Sequence, residues 1–366
     1  MQTGSEFPLI NSHNNWGKLE EVWLGDVYPV SWYDHLTPEV RDCFQEITER
    51  TQHDLQAIEN KLHEFNVIVR RPKYDRIDDY ISDKTPVGVP IRRPRSGQLI
   101  KPEITPRDNY LTINNTLFAT KPRSHEISPW QHIIDEYKQK GGDVRRCNAL
   151  INGANTVRAS RDIYIDIGVQ TDYSLVQEQV VDQFPENRIH VLNNGGHLDG
   201  CFALLKPGVL LASSYFDSYE TTFPGWDRIN TSAPEFKSHR HYCRKNTNFS
   251  NGKWWLADMK HSQAFNQHII QHALTWVGDY TETFFEVNCL VLDEKNVVVL
   301  GEHESIFRRM EEYGITAHSV PFRTRTFWDG GMHCLTLDIR RQTKLEDFFP
   351  ERGDGPGMML IDSLPK

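Results

Sequence analysis

The sequence repeats one order of predicted elements, an amphipathic helix followed closely by a short apolar strand. Residues 37–65 place apolar side chains at helical spacing and run into the strand-like Val67-Ile68-Val69. The same order recurs at three later places, which are 130–137 before 143–144, 173–184 before 189–191, and 306–313 before 315–317. These passages predict an α/β chain built from a repeated unit, because helices and strands that alternate in this way pack as layers around a shared core.

Apolar hairpins form the second recurring element. Three segments read as paired buried strands around a turn, and they are 110–119, 201–212 and 288–300. Their turns contain residues that favour tight reversal, such as Asn114-Asn115 and Pro207-Gly208. Hairpin, helix and strand in rotation predict one compact unit that is repeated around an axis.

Composition narrows the class of protein. With 366 residues, 38% hydrophobic content and no low-complexity linker, the chain is expected to form one domain over residues 1–366. Residues 71–106, rich in Pro, Arg and Asp, are expected to form an irregular surface excursion over a site. The net charge of −9 and the lack of basic runs argue against nucleic acid as a partner. No apolar stretch could span a bilayer and the first residues lack signal-peptide features, which predicts a cytoplasmic protein without a membrane partner.

Two short segments set reactive side chains beside paired glycines. They are Gly195-Gly196-His197-Leu198-Asp199 and Gly330-Gly331-Met332-His333-Cys334. The glycines allow a substrate to approach the main chain, and the segments supply an imidazole, a carboxylate and a thiol. A thiol nucleophile and a distant histidine form a candidate catalytic pair, although packing roles would explain both residues as well. A cysteine protease is disfavoured because its motif around the cysteine is absent.

The cysteines and histidines do not predict a metal or a disulfide framework. The six cysteines are scattered without CxxC spacing, which suits free thiols in a reducing compartment. His239, His241 and Cys243 alternate, so a strand would point all of them to one face, as zinc ligands require. Their neighbours are basic and no clear fourth ligand is nearby, so we expect neither a metal nor any other cofactor.

Further motifs are spread over nearly the whole chain. They are Asn15-Trp16-Gly17-Lys18-Leu19-Glu20-Glu21-Val22, Pro106-Arg107-Asp108, Arg158-Ala159-Ser160-Arg161-Asp162, His197-Leu198-Asp199 with Pro207-Gly208, Val291-Leu292-Asp293-Glu294-Lys295, and His333-Cys334-Leu335-Thr336-Leu337-Asp338-Ile339-Arg340-Arg341. Together they resemble the amidinotransferases, the family of glycine and inosamine-phosphate amidinotransferases within the guanidine-modifying superfamily. The resemblance implies the pentein fold, a propeller of five pseudo-symmetric ββαβ modules, in accord with the repeated units. Relatives of this kind also suggest a homodimer.

The resemblance assigns a role to each reactive residue. Asp108 and Asp199 match the positions that clamp a guanidinium, whose nitrogens planar carboxylates can bond in bidentate fashion. Cys334 matches the nucleophile, and a cationic substrate beside it favours the thiolate. His197 would protonate the departing amine and later deprotonate the incoming one, while His333 reads as structural. The implied enzyme is an amidinotransferase, which moves an amidino group from an arginine-like donor to an amine through a covalent amidino-cysteine in a ping-pong sequence.

One departure from the family pattern concerns the orientation of His197. The family has an aspartate about ten residues before the Arg-Asp pair of the 158–162 motif, and this chain has Asn152. An amide oxygen can still accept from an imidazole N–H and fix the tautomer, but it stabilises an imidazolium less well. A shift in the alignment would place another residue there.

Other departures concern the substrate. The arginine that binds the donor's carboxylate falls at Phe216, and the serine pair that receives its amino-acid end falls at Thr281 and Glu282. The pocket has therefore lost a positive charge and gained a negative one. Unless another arginine such as Arg158 or Arg161 reaches in, we expect a changed donor orientation or a cationic substrate without a carboxylate, such as agmatine or a diamine.

Two alternatives remain open alongside amidino transfer. A hydrolase of the same superfamily would use water to resolve the amidino-cysteine, and its product formation would not depend on an added amine. A catalytically silent binding protein would keep the fold without the chemistry, which the departures at Asn152 and Phe216 suggest. Mass spectrometry after mixing with guanidino compounds distinguishes the silent protein, because only an active thiol gains an amidino group.

Overall fold

The structure is a computed structural model that describes residues 8–75, 99–120, 128–148, 151–166, 173–192, 197–213, 219–231, 262–273, 276–277, 287–355, 357 and 359–360. The strands are β1 (Leu19–Leu24), β2 (Ile68–Arg70), β3 (Tyr110–Ile113), β4 (Thr116–Ala119), β5 (Asp143–Arg146), β6 (Thr156–Ala159), β7 (Asp162–Asp166), β8 (Arg188–Leu192), β9 (Phe202–Lys206), β10 (Val209–Ala212), β11 (Asp227–Asn230), β12 (Leu290–Asp293), β13 (Asn296–Leu300), β14 (Thr316–Val320), β15 (Thr336–Arg341) and β16 (Met359–Leu360). The α-helices are α1 (Pro38–Glu64), α2 (Gln131–Gln139), α3 (Tyr173–Gln179), α4 (Tyr219–Thr222), α5 (Gln263–His268), α6 (Glu304–Glu312) and α7 (Arg325–Trp328). Within the described residues these strands form five small sheets.

Each sheet contains a hairpin whose second strand pairs with a later, parallel strand. β3 and β4 pair antiparallel, and β5 returns parallel to β4 after helix α2. The same order holds for β6–β7–β8, β9–β10–β11 and β12–β13–β14, with α3, α4 and α6 between the last two strands of each. This is the ββαβ module, and its recurrence confirms the predicted α/β pentein architecture.

The fifth module joins distant parts of the sequence. Strand β15 pairs antiparallel with β1, so that Leu337 lies opposite Trp23 and Asp338 opposite Val22. Helix α1 then leads to β2, which pairs parallel with β1. The first strand of this module therefore comes late in the sequence, and its pairing closes the ring of modules.

The predicted helix-to-strand passages and the predicted hairpins are all present, but the hairpin β6–β7 was missed. Its strands carry Arg158 and Asp162, which interrupt the apolar pattern that sequence analysis relies on. Both residues are nevertheless buried, because other charged side chains pair with them inside the protein. Of the predicted surface excursion, the flanks 71–75 and 99–105 form no helix or strand, and 76–98 lies outside the described residues.

A buried ionic cluster lies where the first strands of several modules meet. Asp338 on β15 accepts hydrogen bonds from Arg107 at 2.8 Å, from Arg158 at 2.5 Å and from Arg341 at 2.7 Å. The hydroxyl of Ser12 donates to the same carboxylate at 2.9 Å. We call Asp338 and these arginines the Asp338 cluster. Each carboxylate oxygen has at least one charged donor, which satisfies the requirement for burying such a group.

The Asp338 cluster also ties strands together through backbone carbonyls. Arg158 on β6 donates to the carbonyl of Thr112 on β3 at 2.9 Å, and Arg341 on β15 donates to that of Val291 on β12 at 2.9 Å. Burial alone would raise the pKa of Asp338, but the surrounding guanidinium groups hold that pKa well below its usual range. The cluster therefore acts as an ionised internal anchor beneath the candidate site.

Candidate functional site

The candidate site residues occupy equivalent positions in different modules, just before the first strand. Asp108 ends the 3₁₀ helix Pro106–Asp108 that precedes β3, and Asp199 lies in a second one, Leu198–Gly200, that precedes β9. Cys334 comes two residues before β15. The first strand of each module is at the edge of its sheet and is largely buried, so it faces other parts of the protein and not solvent. Residues that precede these strands in different modules can therefore lie close together.

The thiol of Cys334 contacts the carboxylate of Asp199. Its Sγ lies 3.5 Å from Oδ2 of Asp199, and the two residues are only 5% and 3% exposed. In this arrangement the neutral thiol donates to the carboxylate. A candidate nucleophile and a candidate substrate-binding carboxylate, far apart in sequence, are thus brought together.

The same oxygen of Asp199 accepts a second hydrogen bond, from His333. The distance from Nδ1 of His333 to Oδ2 is 2.9 Å. Burial and the positive charge of Arg107 lower the pKa of His333 to about 4, so the ring is neutral and donates through Nδ1–H. Burial acts to raise the pKa of Asp199, but the hydrogen bond from His333 keeps that pKa below its ordinary value. His333 was predicted to be structural, and the sequence did not predict its contact with the carboxylate of Asp199.

Each candidate clamp carboxylate leaves one buried oxygen without a partner. Among the described residues, Oδ1 of Asp199 and Oδ1 of Asp108 accept no hydrogen bond. The other oxygen of Asp108 accepts from the hydroxyl of Thr105 at 2.8 Å. Buried polar atoms are almost always hydrogen-bonded, so an unpaired oxygen on each carboxylate indicates a place for an external donor.

Gly330 brings Thr105 and Cys334 close together. A Cβ atom at position 330 would lie 3.1 Å from Cγ2 of Thr105 and 3.3 Å from Cβ of Cys334. The absence of a side chain therefore allows the segment that precedes Asp108 to pack against the segment that carries the thiol. Thr105, which lies against this segment, is the residue whose hydroxyl donates to the carboxylate of Asp108.

Asn288, which sequence analysis did not select, holds the thiol directly. Its Nδ2 lies 3.1 Å from Sγ of Cys334, and its Oδ1 accepts from the backbone N–H of Cys334 at 3.0 Å. Nδ2 also donates to the carbonyl of Asp199 at 3.3 Å. Its position could have indicated a role in the site. Asn288 lies two residues before β12, as Asp108 lies two residues before β3 and Cys334 two residues before β15.

His197 lies two residues before Asp199 in sequence and is partly exposed. Its backbone carbonyl accepts from the N–H of Gly200 at 3.2 Å and from the thiol of Cys201 at 3.4 Å, which fixes the main chain at this corner. A positive charge on His197 lowers the pKa of Asp199, so the imidazole acts on the carboxylate electrostatically. The acid and base roles of His197 stay a prediction.

Asn152 shapes the turn before β6. Its Oδ1 accepts from the backbone N–H of Asn155 at 2.9 Å, and its carbonyl accepts from the hydroxyl of Thr156 at 3.0 Å. The same turn contacts the site, because the carbonyl of Ala154 accepts from the N–H of Asp199 at 3.1 Å. The bond to Asn155 engages one lone pair of the amide oxygen, and the orientation of His197 by Asn152 stays a prediction.

Both arginines considered as substitute receptors for a substrate carboxylate form ion pairs within the fold. Arg158 belongs to the Asp338 cluster and is 2% exposed. Arg161 pairs with Asp347 at 3.1 Å and with Asp354 at 2.5 Å. Both arginines are therefore engaged with carboxylates of the protein itself, and their contact with a substrate stays a prediction.

Several predicted positions lie outside the described residues. They are Phe216, Thr281 and Glu282 of the substrate prediction, and His239, His241 and Cys243 of the metal alternative. Within the ranges that the structure describes, no group of three or more His, Cys, Asp or Glu side chains could hold a metal ion. No described helix is both long enough and apolar enough to cross a membrane.

Known proteins match the chain over most of its length. Glycine amidinotransferase of Xenopus tropicalis is 22% identical over 400 residues, covering 93% of this chain and 85% of that protein. Inosamine-phosphate amidinotransferase 2 of Streptomyces griseus is 21% identical over 393 residues, covering 93% of this chain and 99% of that protein. No protein-family model matches the chain.

Solved structures show the same fold. Inosamine-phosphate amidinotransferase of Streptomyces griseus aligns with a TM-score of 0.65 at 17% identity, covering 93% of this chain and 99% of that one. An amidinotransferase of the saxitoxin pathway from Microseira wollei gives 0.64 at 19% identity with the same coverage. A dimethylarginine dimethylaminohydrolase gives 0.51 at 13% identity, covering 87% and 99%. By sequence the chain is similar to amidinotransferases over most of its length, and its fold is the one that these amidinotransferases and the dimethylaminohydrolase share.

Proposed function

We propose that this protein is an amidinotransferase that moves an amidino group from a guanidino donor to an amine acceptor through a covalent intermediate on Cys334. One observation carries the proposal. The buried thiol of Cys334 contacts the carboxylate of Asp199, and among the described residues Asp199 and Asp108 each keep one unpaired oxygen. The relatives are named for this activity, which supports the assignment.

Binding follows from charge. A guanidinium carries a delocalised positive charge and N–H donors in a planar fork, and carboxylates are its natural partners. The free Oδ1 atoms of Asp108 and Asp199 would receive these donors. Binding would remove two buried unpaired acceptors at once, which supplies a reason for the affinity.

The bound cation would also activate the nucleophile. In the free protein the thiol of Cys334 donates to ionised Asp199, and a neighbouring negative charge disfavours the thiolate. A guanidinium paired with Asp199 offsets that charge, so Cys334 can lose its proton when substrate is present. His197, two residues before Asp199 in the chain, would take the proton.

In the first half-reaction a C–S bond forms and a C–N bond breaks. The thiolate attacks the central guanidino carbon, a C–S bond forms, and one C=N electron pair moves to nitrogen. His197 returns its proton to the departing amine as the C–N bond breaks, leaving an amidino-cysteine. In the second half-reaction an acceptor amine loses a proton to His197, attacks the same carbon and releases the thiolate.

Hydrolysis is the second candidate function, favoured by the fold shared with a dimethylarginine dimethylaminohydrolase. In that case water would replace the amine in the second half-reaction. The thiol, the clamp and the first half-reaction would be the same. The two functions therefore differ only in what resolves the amidino-cysteine.

Incubation with a panel of guanidines, followed by mass spectrometry of the intact protein and of the Cys334 peptide, tests the proposal. We expect the peptide to gain one amidino group and to lose it when an amine is added, with the amidinated amine as product. Loss of the group in buffer alone would assign the hydrolase. No gain with any guanidine, at a thiol that still reacts with an alkylating reagent, would indicate a silent binding protein.

The donor is proposed to be a cationic guanidine without a carboxylate, such as agmatine, with a diamine as a candidate acceptor. The substitutions at Phe216 and Glu282 support this, and so does the engagement of Arg158 and Arg161 elsewhere. Competition between arginine and agmatine as donors, with glycine, lysine and diamines as acceptors, measures the preference. A strong preference for arginine and glycine that Glu282→Ser leaves unchanged would contradict the proposal.

A further inference from the structure

We propose that Asn288 is a further catalytic residue, whose side-chain amide donates the hydrogen bond that stabilises the thiolate of Cys334 and fixes the sulfur beside Asp199. The proposal rests on the amidino-transfer chemistry proposed above. It assigns to this residue a direct contact with the reacting atom.

The orientation of the amide follows from its contacts. Oδ1 of Asn288 accepts from the backbone N–H of Cys334 at 3.0 Å, and only an oxygen can accept there. The amide nitrogen must therefore face Sγ, which it reaches at 3.1 Å, and the carbonyl of Asp199, which it reaches at 3.3 Å. Because an amide nitrogen can only donate, the contact with sulfur is an N–H donated to it.

Packing prevents the amide from turning away. Asn288 is 1% exposed, and a Cβ atom at Gly331 would lie 2.5 Å from its Oδ1. The backbone carbonyl of Asn288 also accepts from the N–H of His333 at 3.2 Å. The residue is thus held against the 331–334 segment by both its side chain and its main chain.

A donor at this place has a chemical consequence. A hydrogen bond to an ionised sulfur is roughly twice as strong as one to a neutral group, so the amide favours the thiolate over the thiol. Asp199 acts in the opposite sense until a cation neutralises it. Asn288 therefore supplies the donor that keeps the thiolate in place once the guanidinium has bound.

The pH profile of Cys334 alkylation tests this role. Full-length wild type, Asn288→Asp and Asn288→Ala are treated with iodoacetamide across a range of pH, and labelling of the Cys334 peptide is followed by mass spectrometry. Asn288→Asp keeps the size and the acceptor for the N–H of Cys334 but replaces the donor with an anionic oxygen. We expect its alkylation midpoint to rise by at least about one pH unit, and amidino-cysteine formation at neutral pH to slow at least tenfold.

Thr336→Val is the matched control. The Thr336 hydroxyl donates to the carbonyls of Met332 at 3.0 Å and His333 at 3.3 Å, so it supports the same segment without bonding the sulfur. We expect its alkylation midpoint to equal that of wild type. Thermal unfolding checks that each variant folds, and Asn288→Asp decides the question if Asn288→Ala does not.

The outcomes separate this proposal from the proposed function. An Asn288→Asp midpoint that shifts no more than that of Thr336→Val would overturn the role of Asn288, whatever the activity. A wild-type protein that alkylates at Cys334 but gains no amidino group from any guanidine would overturn the amidino-transfer proposal, while the alkylation midpoints would still report on the donor.

Discussion

Two buried carboxylate environments in this protein differ in how completely their oxygens are bonded. Asp338 receives guanidinium donors from Arg107, Arg158 and Arg341 and leaves neither oxygen unpaired. One oxygen of Asp199 accepts hydrogen bonds from His333 and from the thiol of Cys334, and its other oxygen has no partner among the described residues.

The difference separates stability from binding. When every oxygen is paired, the ion pairs offset the desolvation free energy of the buried carboxylate, so the Asp338 cluster can stabilise the fold. An unpaired buried oxygen lowers stability unless something else supplies the donor, and the proposed guanidino substrate would supply one at Asp199. The following substitutions test whether the two environments are as different as their contacts indicate.

Removal of the nucleophile should have the largest effect. We expect Cys334→Ala to abolish amidino-cysteine formation and turnover while the fold persists, because alanine has no thiol on which the covalent intermediate could form. Cys289→Ala is the control, since burial raises the pKa of Cys289 to about 12 and keeps that thiol protonated at neutral pH. Mass spectrometry and product assays measure both, and activity of Cys334→Ala within tenfold of wild type would refute the assignment.

Substitution of Asp338 should lower the free energy of unfolding. Asp338→Asn leaves buried guanidinium groups without their counter-charge, and breaking such a network costs about 3 to 5 kcal/mol of the free energy of unfolding. Urea unfolding monitored by circular dichroism measures the loss. A variant within about 1 kcal/mol of wild type would show that the network is not an anchor.

Asp108→Asn should show the reverse pattern. Half of the clamp's negative charge is lost, so binding of a guanidine should weaken by about 2 to 5 kcal/mol. Calorimetry in a Cys334→Ala background measures binding without turnover. The free energy of unfolding should change by less than about 1 kcal/mol, because the affected oxygen has no partner in the described part of the chain. Unchanged affinity, here and in Asp199→Asn, would mean that the clamp lies elsewhere.

The burial of His333 predicts a pH dependence of stability. The pKa of His333 is lowered to about 4 in the fold, against an ordinary 6.5, so the unfolded chain takes up the proton first. The contribution of the neutral ring is complete above about pH 6.5 and is lost as the pH falls toward 4, by up to about 3 kcal/mol. Urea unfolding at pH 7 and at pH 4.5 should show a steeper decline for wild type than for His333→Gln. Equal declines would show that the ring does not titrate differently on folding.

Asn152→Asp should have the smallest effect. A carboxylate keeps the acceptor for the N–H of Asn155 and adds negative charge to stabilise a protonated His197. We expect the rate of amidino-cysteine formation to rise by up to about tenfold. Stopped-time mass spectrometry measures the rate, and a decrease would favour a different residue as the one that orients the imidazole.

The repeated fold was readable from sequence because its signal is distributed. Apolar periodicity at α1, α2 and α6 and turn residues such as Asn114 and Gly208 act locally, so short windows of sequence reveal them. Gly208 has φ of +82°, and Asn114 has φ of +50°, the left-handed conformation that these residues tolerate. The hairpin β6–β7 was not predicted because its buried charged side chains form ion pairs with residues that are distant in the sequence.

The site was only partly readable because its contacts cross between modules. Cys334 and Asp199 could be selected by chemistry and resemblance, but nothing local shows that the thiol donates to the carboxylate. Asn288 carries no reactive group, and its importance follows only from where the fold places it. Counting residues back from the first strand of each module is the sequence rule that would have found it.

The pairing of β15 with β1 has a consequence for biosynthesis. Until residues 336–341 emerge from the ribosome, β1 exposes an unpaired edge, which is a template for association with other chains. Cys334, the proposed nucleophile, lies two residues before the strand that covers this edge. A chain that terminates before β15 would therefore be prone to aggregation and would lack Cys334. In the complete chain, synthesis of one short segment supplies both the thiol and the strand that covers the edge of β1.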